Sequence, residues 1–94
     1  MSSPAGQYER TLAIQNQHGL HARPSAEFVK LANKFSADVA VRRDDLEVNG
    51  KSIMGIMMLA AECGCEITIR TSGSDAEAAL QELTGLVERG FGED

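Results

Sequence analysis

The sequence predicts an α+β domain of two layers, in which a four-stranded, mostly or wholly antiparallel sheet carries helices on one face. Residues around Tyr8–Gln15 and Glu66–Arg70 alternate apolar and polar side chains with the period of a half-buried strand. Ala22–Phe35 and the segment from Ser74 to Gly90 instead repeat apolar residues at helical spacing. The resulting order is strand, helix, two strands, short helix, strand, long helix. These helices are too apolar on one side to face solvent, so they must cover one face of the sheet and leave the other open. Periodicity leaves the strand order undetermined.

Met1–Gln7 is small and polar, with a proline and a glycine, and reads as a loose tail. In the first strand Tyr8, Arg10, Leu12 and Ile14 alternate with Glu9, Thr11, Ala13 and Gln15, and Asn16–Leu20 turns around Gly19. Ala22, Ala26, Val29 and Ala32, joined by Phe28, Leu31 and Phe35, give an amphipathic helix over Ala22–Phe35 that starts near His21. Val39 and Val41 mark a second strand. Arg43-Asp44-Asp45 reads as a hairpin turn to a short third strand at Leu46 and Val48, antiparallel to the second. Ser52 can cap a short helix to about Ala61, broken by Gly64. A fourth strand at Ile67 and Ile69 leads to a last helix, where Ser74 and Glu77 form a capping-box pattern. Ala76, Leu80, Leu83 and Val87 share its inner face, and Gly90 ends it.

With 94 residues and 43% apolar composition, the chain can build one domain with a thin core and is too short for two. Fourteen acidic against nine basic residues give a net charge of −5, which argues against nucleic-acid binding and leaves proteins as the expected partners. The longest nearly apolar run, Ile53–Ala61, falls well short of the roughly 18 residues of a membrane span, and no secretory pattern opens the chain. A cytoplasmic monomer with no membrane insertion is expected. Cys63 and Cys65 lie too close to staple separate elements and read as free thiols. The alternative is a zinc site joining them to His18 and His21, although C-x-C is unlike the usual structural pairs. The expectation is no metal and no cofactor.

Asn16-Gln17-His18-Gly19-Leu20-His21-Ala22-Arg23-Pro24 is the most informative segment. It sets an imidazole where a strand gives way to a helix, with a guanidinium two residues on. Helix N-termini present unpaired amides and partial positive charge, so an anion carried on His21 would meet favourable surroundings. Pro24 suits the first turn, where its missing N–H costs nothing. Arg23 is a cation at the positive end of a helix dipole, a placement that favours an anion nearby. His18, on the turn itself, is expected to face solvent.

Gly19-Leu20-His21-Ala22-Arg23-Pro24, followed by Asn49-Gly50-Lys51-Ser52-Ile53-Met54-Gly55-Ile56-Met57, resembles the HPr phosphocarrier family of the bacterial phosphoenolpyruvate-dependent phosphotransferase system. The resemblance spans Tyr8 to Gly90. It implies an HPr-like domain over 8–90, between the tail of 1–7 and an acidic end of 91–94, folded as an open-faced β-sandwich with sheet order 1-4-2-3. It also implies a phosphocarrier, an intermediate in transfer and not an autonomous enzyme, that accepts a phosphoryl group from Enzyme I and passes it to Enzyme II components. His21 would carry the group on Nδ1 and Arg23 would assist its binding and transfer. Ser52 would be the target of an ATP-dependent kinase whose modification slows the relay and can recruit a transcription regulator. Departures from the family pattern are modest: Ser25 stands where alanine is common, Cys63-Gly64-Cys65 fills a variable stretch, and the tail is a few residues longer.

Serine at a helix start is also an ordinary cap, and both readings of Ser52 can hold together. The short helix has more apolar residues than one buried stripe can use. Ile56 and Leu59 are expected in the core, leaving Ile53, Met54 and Met57 as an exposed patch near His21 that adaptable methionines could press onto several partners. Three other functional readings compete with sugar-uptake carriage. One is a regulatory module acting through phosphorylated Ser52. A second is service in the nitrogen-related branch of the system, toward which the acidic ending Gly90-Phe91-Gly92-Glu93-Asp94 leans. The third, a small-molecule sensor, needs a buried polar pocket that the sequence does not offer.

Overall fold

The computed structural model describes residues 6–93, so most of the expected tail over 1–7 lies outside the described residues. The chain forms β1 (Gln7–Ala13), α1 (Ala22–Ala32), β2 (Asp38–Arg43), β3 (Leu46–Asn49), α2 (Ile53–Met58), β4 (Glu66–Ser72) and α3 (Ala76–Glu88), and ends in a 3-10 turn at Gly90–Gly92. The four strands make one antiparallel sheet in the order β1-β4-β2-β3, as expected. Leu12 lies opposite Ile67, Val41 opposite both Ile69 and Val48, and Val39 opposite Thr71, so each strand's apolar set falls on one side. Against that side pack Phe28, Val29 and Ala32 of α1, Ile56 of α2, and Leu83, Leu86 and Val87 of α3. On the opposite, open face Thr11 and Thr68 share a hydroxyl hydrogen bond of 2.8 Å across β1 and β4.

Three helix boundaries differ from the sequence reading, each for a polar reason. Helix α1 stops at Ala32 and does not reach Phe35: the Asn33 side chain donates to Val29 O at 3.0 Å, and Lys34 and Phe35 then bond three residues back. Phe35 packs instead in a small cluster with Tyr8, Ala37, Ala76 and Ala79. Helix α2 stops at Met58, short of Ala61, because Arg43 reaches across from the end of β2 and donates to Leu59 O at 3.0 Å and Ala60 O at 2.9 Å. Those carbonyls are the acceptors a helix end leaves unpaired. The Ser74–Glu77 capping box does not form. The N-cap is Asp75, whose carboxylate turns outward to accept from Ser36 N at 2.9 Å and Ala37 N at 2.8 Å, tying α3 to the approach to β2.

At the other end of α3 the expectation holds: Gly90 follows the C-cap with φ of +63°. The acidic end is continuous with this core through Glu93, since Phe91 is buried among the core residues. No helix among the described residues is long and apolar enough to cross a membrane.

Candidate functional site

Residues Asn16–Leu20 hold the end of β1 against the segment that follows α2. Leu20 N donates to Ala61 O at 2.8 Å and Gly64 N to Ile14 O at 2.9 Å. Gly19 has φ of +68°, and a Cβ there would be driven into Ala61 O and lie 2.8 Å from Glu62 Cα, so only glycine fits. Buried Asn16 fastens the turn from inside, its side-chain amide donating to Gly19 O at 2.8 Å. Ser25, fully buried on the first turn of α1, donates its hydroxyl to Leu20 O at 3.1 Å and its amide to His21 O at 3.0 Å. The departure from alanine therefore adds one bond, from the hydroxyl to the carbonyl just ahead of His21, to the backbone amide bond that any residue here would make.

His21 is the N-cap of α1 in extended conformation, and its side chain makes no capping bond, so the ring is available for chemistry. Buried Pro24 sits in the first turn as expected. The ring's Nε2 lies 3.2 Å from one carboxylate oxygen of Glu93 and 3.4 Å from the other. Arg23 does not bond the ring; its Nη1 lies 3.5 Å from Glu93 Oε2. Asn16 completes the cluster, donating to Glu93 Oε1 at 3.0 Å. Glu93 is thus the hub: its side chain is 16% exposed, against 42% for His21 and 68% for Arg23. The Asn16 hydrogen bond, then the His21 ring and the Arg23 charge, hold its carboxyl below the ordinary range, overcoming the opposing effect of partial desolvation. His18 is exposed, with its ring centroid 6.0 Å from that of His21 in an edge-to-face arrangement.

Sequence reasoning assigned Glu93 no place here. It is separated from His21 by 72 positions, and its approach depends on Gly90, Phe91 and Gly92 taking φ of 63°, 60° and 74° in succession, a left-handed turn that folds the chain back over the site. The flanking glycines were the available signal.

Ser52 caps α2 as expected, its hydroxyl accepting from Gly55 N at 3.0 Å. Ile56 and Leu59 are buried, while Ile53, Met54 and Met57 are 43%, 73% and 42% exposed. Met58, which the sequence reading left unassigned, is 63% exposed beside them. Cys63 and Cys65 are free thiols, and no three His, Cys, Asp or Glu side chains among the described residues are arranged to hold a metal, so the four-ligand zinc alternative is not assembled. The groove lined by Glu27, Lys30, Leu31, Lys34, Leu86 and Arg89 is open and shares no residue with the His21 cluster, unlike the buried polar pocket a sensor needs.

Residues 8–89 match the family model described as "PTS HPr component phosphorylation site". The phosphocarrier protein HPr of Neisseria meningitidis serogroup A is 46% identical over 85 residues, covering 90% of this chain and 96% of that protein. The HPr-like protein Crh of Bacillus subtilis is 41% identical over 80 residues, covering 85% and 94%. The crystal structure of HPr-C-His from Thermoanaerobacter tengcongensis superposes with a TM-score of 0.89 at 46% identity, over 93% of this chain and 98% of that one.

Proposed function

From the premise that this chain belongs to the HPr phosphocarrier family of the phosphotransferase system, we propose that it carries a phosphoryl group on Nδ1 of His21, accepted from Enzyme I and passed to Enzyme II components. The observation that carries this reading is the ring's setting: it stands at the N-terminus of α1 with Nε2 engaged by Glu93 and Nδ1 without a partner among the described residues. Neutral imidazole is a competent nucleophile near neutral pH, and a phosphorylated ring nitrogen stays reactive enough to pass the group on. Phosphoryl transfer depends mainly on alignment and charge stabilisation, so a carrier can leave much of the catalysis to its docked partner. The amides of Ala22 and Arg23, which have no partner among the described residues, and the exposed Arg23 guanidinium supply positive charge for the resting phosphoryl group. The carrier acts as a cytoplasmic monomer.

Incubation with Enzyme I and phosphoenolpyruvate tests the proposal. His21→Ala should take up no label, and a variant labelled like the parent would contradict it. Arg23→Glu should slow transfer by about tenfold to a hundredfold, the rate equivalent of one charge-assisted contact replaced by repulsion; unchanged kinetics would remove Arg23 from the mechanism.

Ser52 supports a second, regulatory reading, since it combines a partly accessible hydroxyl with a position at the head of the exposed α2 patch. A phosphate there would gain from the helix N-terminus while setting about two negative charges beside Ile53, Met54 and Met57, disfavouring acidic partner surfaces. Mass spectrometry after incubation with an HPr-type serine kinase and ATP checks it, with an unmodified Ser52 counting against regulation. Retention of His21 favours carriage as the main role. The acidic ending, once a pointer to the nitrogen-related branch, has a local use at His21, so it no longer separates that branch from sugar uptake.

A further inference from the structure

We infer that Glu93 is a positioning residue for phosphoryl transfer, fixing the His21 tautomer that leaves the Nδ1 lone pair free to attack. The inference rests on the carrier reading and deepens it. A neutral imidazole has one protonated and one unprotonated nitrogen, and a carboxylate can only accept, so the nitrogen facing it must bear the hydrogen. Both Glu93 oxygens lie within 3.4 Å of Nε2, and no described residue bonds Nδ1. Nε2–H therefore donates to Glu93, and Nδ1 keeps its electron pair.

The carboxylate is itself held ready. Asn16 donates to Oε1 at 3.0 Å, Arg23 lies 3.5 Å from Oε2, and both favour the ionised form that accepts. Backbone geometry gives a second, independent support. Phe91 has φ of 60°, an outlier for a bulky side chain, and such conformations persist only where surrounding structure compels them. Here the buried ring anchors the turn on one side and Glu93 N donates to Gly90 O at 2.9 Å on the other. This left-handed turn delivers Glu93 to the imidazole.

In the transfer step the Nδ1 lone pair forms the bond to phosphorus while the phosphorus–donor bond breaks, its electron pair remaining on the donor atom. The Nε2 proton stays on the ring, and the positive charge that develops there faces the Glu93 carboxylate. A carboxylate that orients an imidazole and stabilises its developing charge has the same physical role in nucleophilic triads.

Nitrogen-15 NMR of the neutral His21 ring, with single-turnover transfer from phosphorylated Enzyme I, tests this on the full chain and on Glu93→Ala and Glu93→Gln. The parent should show a protonated Nε2 and an unprotonated Nδ1. Glu93→Ala should shift both ring nitrogens toward a tautomer mixture and slow transfer by about tenfold or more. Glu93→Gln, which keeps an acceptor oxygen without the charge, should hold the tautomer and recover part of the rate. Identical ring shifts in parent and Glu93→Ala, an unprotonated Nε2 in the parent, or an altered tautomer with parental rate would each overturn the inference. The ring shifts need no donor, so they stand or fall separately from the carrier reading.

Discussion

Gly19 decides where the His21 ring can stand. Its left-handed backbone and its contact with Ala61 and Glu62 let Leu20 bond to the segment after α2, and His21 then enters α1 in extended conformation. In Gly19→Ala the backbone conformation alone should cost about 1–3 kcal/mol. Chemical denaturation should show that loss together with slower phosphoryl transfer; parental values of both would mean the turn tolerates a side chain. At this scale the motif residues were readable, because glycine, histidine, arginine and proline each have a local reason to occupy a strand-to-helix turn. Asn16 and Glu93 were not. A buried asparagine looks like any turn residue, and Glu93 gains its meaning only from folding that closes 72 positions of chain.

Elements were legible in kind and order because two periods, one of strands and one of helices, dominate the pattern. Their ends were not, since the stops at Ala32 and Met58 come from side-chain bonds by Asn33 and Arg43 that compete with continued helix. Asp75 is the sharpest case. A carboxylate at the head of α3 was available for capping, yet it bridges to Ser36 and Ala37. The backbone bond from Ser36 is the foremost reason its carboxyl is held below the ordinary range, against the opposing effect of desolvation. A depressed folded value means this contribution is full above the unfolded value of about 3.9 and is lost as pH falls through the lower folded one. Asp75→Asn should therefore be less stable than the parent near neutrality, with the difference shrinking as unfolding is measured at pH values falling below about 4. A difference independent of pH would show that the carboxylate's charge plays no part.

For the whole molecule, the sheet and its helices gather two surfaces of different character: a polar cluster around His21, to which the proposed function assigns the phosphoryl group, and an exposed apolar patch on α2, to which it assigns partner docking. Met54→Lys and Met57→Lys remove exposed apolar surface without touching the core, so each should raise KM for transfer from Enzyme I by about fivefold, the effect of losing roughly 1 kcal/mol of contact, and leave Tm nearly unchanged. An unaltered KM would move the docking surface elsewhere. The central claim, that the imidazole at the mouth of α1 carries phosphate, is tested most directly by phosphorus NMR of the chain after incubation with Enzyme I and phosphoenolpyruvate. The account predicts one acid-labile phosphoramidate signal, assigned to Nδ1 of His21 and absent in His21→Ala. A chain that acquires no such signal, or one whose signal survives the His21 substitution, would contradict it.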